Sequence, residues 1–376
     1  MKRIIHAAIL SFSIIAANAA PALAEDTKPA GLNPDELKKA LGLTIYVQGG
    51  YTYNGNASST GKLDDTGNGE QNDLRVFDHK ANSFSLDLAQ IIFQKDPALG
   101  AVGYKVKFSA GETAKLIHAA GMGADNETFD VTEAYLSYTA AIGKGVRFDL
   151  GKYVTYHGAE VIEAIDNPNY SRSFLFNYAI PFTHTGAKVS YPFTDSLAGT
   201  IHVVNGWDNS TDNNKAKSYM LNLGYTPLEQ LALVVNYMTG PEQDKNSSNT
   251  RNLIDVVATI KPVKPLSIIL NYDNAKEEMG AGAPDVKWSG LAGIVKYDIS
   301  NTYSVAVRAE YFDDKDGVRT GTAQKLKEVT VTPEIRLNGG VVLRPEYRHD
   351  ISNEKSFDNG TKKNQDTIAL GAMYRW

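Results

Sequence analysis

The chain has 376 residues and no cysteine, and its 43 acidic residues against 38 lysines and arginines give a net charge of -5. This acidic balance argues against a nucleic-acid partner, because nucleic-acid binding needs a basic face. Without cysteine, the chain cannot be stabilised by disulfide bonds, which many exported proteins use.

The first residues predict export. Basic residues at positions 2 and 3 precede an apolar stretch over 4–17, and Ala22–Ala24 fits the small-x-small pattern of a cleavage site. The apolar run is too short and too interrupted for a convincing membrane-spanning helix. We therefore expect residues 1–24 to be a cleaved signal peptide. The mature chain then begins near Glu25 and, without the two basic residues, carries a net charge of about -7.

Residues 25–42 form a separate segment. Asn33 is a candidate N-cap, Pro34 suits the first helical position, and Gly42 supplies a stop. The pattern predicts a short helix before the strands that follow. A disordered lead-in is the alternative.

From Leu43 onward, apolar and polar residues alternate with a period of two. In the last segment, for example, Ile368 and Leu370 share one face and Thr367 lies on the other. Strict alternation is typical of a sheet whose two faces meet different environments. Sixteen strands are predicted, at 43–53, 81–94, 99–109, 127–139, 145–153, 183–192, 195–206, 216–226, 229–239, 250–262, 265–275, 286–298, 301–312, 324–337, 339–350 and 365–376.

Short turns alternate with longer polar loops between these strands. The loops cover 54–80, 110–126, 154–182, 207–215, 240–249, 276–285, 313–323 and 351–364. Tyr303 and Tyr311 bracket an apolar stretch of about 26 Å, or about 20 Å of height at a strand tilt near 40°. These features predict an all-β protein, a transmembrane antiparallel β-barrel over 43–376 in the outer membrane. Its turns and residues 25–42 would lie in the periplasm and its long loops outside.

Two motifs carry a resemblance to a known family. Residues 151–193 read GKYVTYHGAEVIEAIDNPNYSRSFLFNYAIPFTHTGAKVSYPF, and residues 203–214 read VVNGWDNSTDNN. These stretches resemble the putative β-barrel porin-2, or OmpL-like, outer-membrane proteins, and the likeness extends over most of the chain after Leu43. The resemblance implies a barrel assigned to transport, and it brings no known substrate or catalytic residue. One departure is Trp376, since outer-membrane barrels commonly end in Phe.

The loop over 154–182 differs from the others because it holds too many apolar residues for a segment in water. Residues 158–166 are interpreted as a short helix, which Asn167-Pro168 would end. By analogy with the third loop of general porins, we expect the segment to fold into the lumen and narrow the pore. The alternative is an external cap over the mouth or against a neighbouring subunit. The candidate constriction residues are Glu160, Glu163, Asp166 and Arg172.

Charged side chains on the inward faces of the strands form a second candidate site. Rings of charge set the ion preference of pores, although such residues also serve merely to hydrate and brace a wall. The predicted wall residues are Lys105, Lys107, Arg147, Asp149, Lys188, Arg308, Glu310, Arg336, Arg344, Glu346 and Arg348. We expect the acids of the loop to face the basic wall residues across an eyelet. The mixed signs leave anion or cation preference open.

Signals for enzymatic chemistry are weak. His157 and Glu160 have a spacing compatible with a metal but no second pair nearby, and a calcium-loop match around Asp313–Gly317 lacks its first and last acids. We therefore predict no metal, no cofactor and no catalytic residue. The leading hypothesis is a channel for passive diffusion of small polar solutes or ions. An outer-membrane phospholipase-like hydrolase with a lipid-facing Ser/His pair and a plugged structural or adhesive barrel are the alternatives.

The expected partners follow from this hypothesis. They are outer-membrane lipid, the transported solutes or ions, and the barrel assembly machinery, with no nucleic acid. Analogy with general porins leaves a homotrimer open.

Overall fold

The computed structural model describes residues 34–56, 70–124, 127–280 and 282–376. The predicted signal peptide, 1–24, lies outside the described residues. The chain divides into two units, Met1–Lys39 and Ala40–Trp376. A helix, α1, spans Pro34–Leu41, with Pro34 at its first position as the sequence predicts.

Sixteen antiparallel strands in the second unit close into one barrel. The strands are β1 Leu43–Asn54, β2 Phe84–Lys95, β3 Val102–Ala110, β4 Phe129–Ala140, β5 Val146–Val154, β6 Thr183–Pro192, β7 Leu197–Val204, β8 Ser218–Leu228, β9 Leu231–Pro241, β10 Thr250–Val263, β11 Leu266–Glu277, β12 Val286–Asp298, β13 Tyr303–Asp314, β14 Gln324–Arg336, β15 Val341–Ser352 and β16 Asn364–Arg375. The prediction of sixteen strands in this order is confirmed, with ends that differ by a few residues.

The first and last strands close the barrel. Gly50 of β1 is the register partner of Gly371 of β16, and the backbone N–H of Ile45 donates to the carbonyl of Trp376 at 3.0 Å. Each strand therefore has two hydrogen-bonded neighbours. Closure removes the unpaired edges that a sheet cannot leave in lipid.

The alternation along each strand places apolar side chains outside and polar ones inside. On β14, Val329 and Val331 are exposed, whereas Thr330 and Thr332 on the opposite face are fully buried. A water-soluble sheet would show the reverse, so the outer surface fits lipid. Tyr303 and Tyr311 stand at the two ends of the outward face of β13.

Short turns at one end of the barrel alternate with eight long loops at the other, L1 to L8. They cover 55–83, 111–128, 155–182, 205–217, 242–249, 278–285, 315–323 and 353–363. L1 includes a small ribbon formed by Glu70–Gln71 and Lys80–Ala81, and L2 includes helix α2, Glu112–Leu116. In the described parts of the chain, no helix has the length and apolar character needed to cross a membrane.

The two faces of the barrel predict a depth-dependent response to charge. Leu370 lies near the middle of the outward face of β16, so Leu370→Arg should lower the free energy of unfolding by about 2–4 kcal/mol. Ile351, on the outward face at the loop end of β15, is the matched control, and Ile351→Arg should cost only about 0–1 kcal/mol. Denaturant titration in lipid vesicles measures both. Equal losses would contradict this orientation of the strands.

Candidate functional site: the third loop and the inner wall

L3 packs against the inward-facing side chains of the barrel and is largely buried. The short helix predicted over 158–166 is wrong, because only a 3-10 turn, Ala164–Asp166, forms there. Gly158 has a φ of 86°, and Glu163 is extended. The side chain of Asn167 bonds both the N–H and the carbonyl of Val161, at 2.8 and 2.7 Å. The polar backbone groups of this segment are thus satisfied by side chains instead of by helical hydrogen bonds.

Carboxylates of the wall accept hydrogen bonds from backbone N–H groups of L3. Glu346 accepts from Tyr170 and Ser171 at 2.8 and 3.0 Å. Glu310 accepts from Phe174 and Leu175 at 2.6 and 3.1 Å. Irregular backbone inside a protein requires such partners, since each buried unpaired amide costs free energy.

A third carboxylate binds the beginning of L3. Asp255 on β10 accepts the backbone N–H of Gly158 at 3.0 and 3.1 Å. Asn271, on the neighbouring strand, accepts the N–H of Ala159 at 3.1 Å and donates to Asp255 at 2.9 Å. L3 is therefore held on β10 and β11 as well as on β13 and β15.

Arginines of the wall donate to carbonyl groups of the same loop. Arg308 donates to the carbonyl of Ser171 at 2.8 Å, and Arg348 donates to that of Arg172 at 2.6 Å. Arg344 donates to the carbonyls of Ala164 and Asn169. These wall positions, predicted from alternation alone, are brought together by one segment of chain.

Two of the predicted loop acids form buried ion pairs with the wall. Glu160 lies 2.8 Å from Arg308, and Glu163 lies 2.9 Å from Lys107. The expected separation across an eyelet is therefore not observed for these pairs, because the charged atoms are in contact. Asp166 pairs with Arg375 at 2.5 Å, where both side chains are partly exposed.

Arg172 does not face the acids as a pore-lining cation. Its guanidinium donates to the carbonyl groups of Val161, Ile162 and Tyr170, all within L3. It is almost fully buried and lies 5.0 Å from the centre of the Phe77 ring. Arg172 thus holds the fold of the loop itself.

The remaining predicted wall residues contact residues of neighbouring strands or of L3. Lys105 and Lys107 both approach Glu133, at 2.8 and 2.7 Å. Lys188 donates to the hydroxyl of Tyr156 at 2.7 Å, and its ammonium lies 4.4 Å from the centre of the Tyr153 ring.

The predicted wall residues nearest the turn end remain partly in contact with solvent. Arg147 bonds Asp149 at 2.9 Å, and Arg336 bonds Glu334 at 2.7 Å. The side chains of Arg147 and Arg336 keep 31% and 33% of their exposure, whereas Arg308 keeps none. These inward-facing arginines are therefore more exposed at the turn end than at the level of L3.

Sequence reasoning missed Tyr170. Its hydroxyl donates to Asp87 at 2.6 Å, and its ring lies where side chains at Gly50 and Gly371 would otherwise project. A glycine inside a strand often marks a close approach of another part of the chain. The two glycines were therefore the available signal, but nothing near Tyr170 in the sequence identifies it as the approaching residue.

Burial and pairing set the protonation of the loop side chains. Burial would raise the pKa of Glu163, but Lys107 and Gln90 outweigh it and lower that pKa to about 2. Burial holds the pKa of His157 well below its usual range, with His184 and His202 acting in the same direction. The described residues include no group of three His, Cys, Asp or Glu side chains arranged to hold a metal.

Several solved outer-membrane proteins have a similar fold. The chain matches OmpF of Salmonella typhi, in a complex with daunomycin, with a TM-score of 0.61 and 12% identity, covering 89% of this chain and 97% of that one. An anion-selective porin from Comamonas acidovorans gives a TM-score of 0.60 with 9% identity, covering 89% and 98%. The trimer form of OmpT from Vibrio cholerae gives 0.56 with 15% identity, covering 89% and 98%.

These identities establish the barrel fold alone, and no curated protein matches the chain. The family is established separately, because the model of one family matches residues 40–376, the whole of the barrel unit. The chain therefore belongs to the putative beta-barrel porin-2, OmpL-like family, and it is a porin-like channel of the outer membrane.

Proposed function

We propose that this channel passes small polar solutes or ions by passive diffusion, without a cofactor, along a narrow path bounded by L3 and the inner wall. The observation that carries the proposal is the attachment of L3 to inward-facing residues on well-separated strands. Asp255 binds one end of the loop, while Glu310 and Glu346 bind a later part. A segment held on several sides of a barrel reduces the cross-section available to a solute.

Most charges at the level of L3 are already compensated. Arg308 contacts Glu160 and Glu328, at 2.8 and 2.5 Å, and Arg344 contacts Glu334 at 2.5 Å. Paired charges present a weaker field to a passing ion than isolated ones. The proposed path is therefore polar, with only modest ion preference.

The contacts of the histidines weigh against the hydrolase alternative. His349 faces outward and bonds Asp366 at 2.8 Å, but the hydroxyl on that carboxylate belongs to Tyr347. A serine hydrolase needs a serine hydroxyl within reach of the imidazole. Inside the barrel, His157 bonds the hydroxyl of Thr155, and both lie away from the lipid-facing surface.

Deleting residues 159–166 should raise single-channel conductance, because a constriction in series dominates the resistance of a pore. The later attachments of L3 to Glu310 and Glu346 would remain. Deletion of 244–247 in L5 is the matched control and should leave conductance unchanged. Planar-bilayer recordings of the folded variants test this. Unchanged conductance after the L3 deletion would contradict the constriction, and no conductance in either protein would favour the plugged barrel.

The pH dependence of L3 should follow Glu163. Its pKa falls from 4.5 to about 2 in the folded protein, so its pairing stabilises the fold fully above pH 4.5. That stabilisation is lost as the pH falls toward 2. Glu163→Gln should therefore lower the free energy of unfolding at neutral pH, and its difference from wild type should shrink below pH 4.5. Asp166→Asn, which alters a partly exposed pair, is the control. If the stability difference between Glu163→Gln and wild type did not change with pH, the pairing of Glu163 would not be its source.

We also propose that the protein is processed near Ala24, is inserted by the barrel assembly machinery and associates as a homotrimer. The signal-peptide pattern and the trimer form of the OmpT from Vibrio cholerae support this. N-terminal sequencing of the outer-membrane fraction should begin near Glu25, and light scattering in detergent should give three chains. An intact N-terminus would contradict processing near Ala24, and a single-chain mass would contradict the homotrimer. Depletion of the assembly machinery should abolish the membrane-inserted form.

A further inference from the structure

We propose that the outward surface at the loop end of β14 binds a phosphorylated glycolipid of the outer leaflet, with Lys325 and Lys327 contacting its phosphate groups. This inference rests on the outer-membrane location and is independent of how L3 shapes the path. It concerns the side of the barrel that faces lipid.

The outward face of β14 changes character along its length. From the turn end it presents Ile335, Pro333, Val331 and Val329, and it then presents Lys327 and Lys325, both exposed. All six residues share one face because side chains alternate along a strand. The apolar part fits the hydrocarbon core, and the two lysines fall where that core gives way to head groups.

The register of the neighbouring strands gives the depth of these lysines. Lys327 is the partner of Tyr311 on β13 and of Ile351 on β15. Tyr311 stands at the loop end of its strand, the position of an aromatic girdle. Lys327 is therefore level with the interface, and Lys325 lies two residues farther toward the outside.

A surface recess of about 380 Å³ lies between these side chains. It is lined by Tyr311, Lys325, Lys327, Ile351, Ser352 and Asn353. One part of the lining is apolar and suits the start of an acyl chain, whereas the ammonium groups and the Asn353 region suit an anionic, hydroxyl-bearing head group. This combination favours an amphipathic anion over a small anion in solution, such as inorganic phosphate.

The ammonium groups of Lys325 and Lys327 remain available to an external anion. Within the described ranges, neither lysine forms an ion pair with a carboxylate, whereas Lys276, also on the outward side near the loops, pairs with Asp285 at 2.7 Å. The register partner of Lys325 is Asp313, whose carboxylate accepts from the hydroxyl of Tyr311 at 3.3 Å. Lys325 and Lys327 repel each other, and an external anion bound between them would relieve that repulsion.

The structure supplies a matched control for the test. Lys325 and Lys327 are replaced together by glutamine, which keeps polar side chains of similar length at exposed positions. Lys276→Gln removes an outward cation at a comparable height that Asp285 already neutralises. All three proteins should fold equally, as judged by heat-modifiable migration on gels.

Binding is measured by native mass spectrometry of the full-length, detergent-solubilised protein with purified diphosphorylated lipid A. Wild type and Lys276→Gln should retain the lipid equally, and the double variant should bind it roughly 30-fold more weakly, as expected for the loss of two surface cations. Phosphatidylglycerol should bind more weakly than lipid A to the wild type. Inorganic phosphate at equal concentration should not displace the lipid.

Three outcomes would overturn the proposal. Equal retention of lipid A by the double variant would show that the lysines do not bind it. Equal affinity for phosphatidylglycerol would reduce the surface to an unspecific basic interface. Displacement by inorganic phosphate at equal concentration would indicate a simple anion site.

Discussion

An irregular segment can lie inside a barrel only if its backbone groups find hydrogen-bond partners there, and this requirement explains much of the inner wall. Glu310 and Glu346 accept pairs of adjacent N–H groups, while Arg308 and Arg348 donate to carbonyls of the same loop. The wall charges thus act first as ligands for the backbone of L3. Most of these charges are compensated by contacts with one another and with the loop.

The contacts between loop acids and wall cations bear on how the channel selects ions. A constriction built from isolated opposing charges would select ions by its transverse field. Here Glu160 and Glu163 are instead in contact with Arg308 and Lys107, and these side chains are almost fully buried. Breaking such a pair leaves one buried charge without a partner, which is costly. Substitutions among them should therefore disturb the placement of the loop as well as ion preference.

The outer surface is subject to a different constraint, because it contacts the bilayer and not L3. Aliphatic residues fill much of the outward surface, and on some strands, such as β13 with Tyr303 and Tyr311, tyrosines stand near the ends. On β14, two lysines, Lys325 and Lys327, occupy the outward face at the loop end, where the head groups of the outer leaflet lie. The inner and outer faces of the same strand therefore bear different chemistry, with Glu328 and Thr330 hydrogen-bonded to each other inside the barrel and Lys327 exposed outside.

The sequence by itself determined the sixteen strands, their faces and the unusual character of the third loop, because alternation and turn residues act over a few neighbours. It also identified Arg308, Arg344 and Glu346 as inward-facing. It did not determine the course of L3, and the helix predicted over 158–166 was wrong. The partners that decide this course, such as Asp255 for Gly158, lie far away in the chain. Only closure of the barrel brings them together, so local pattern carried no information about these contacts.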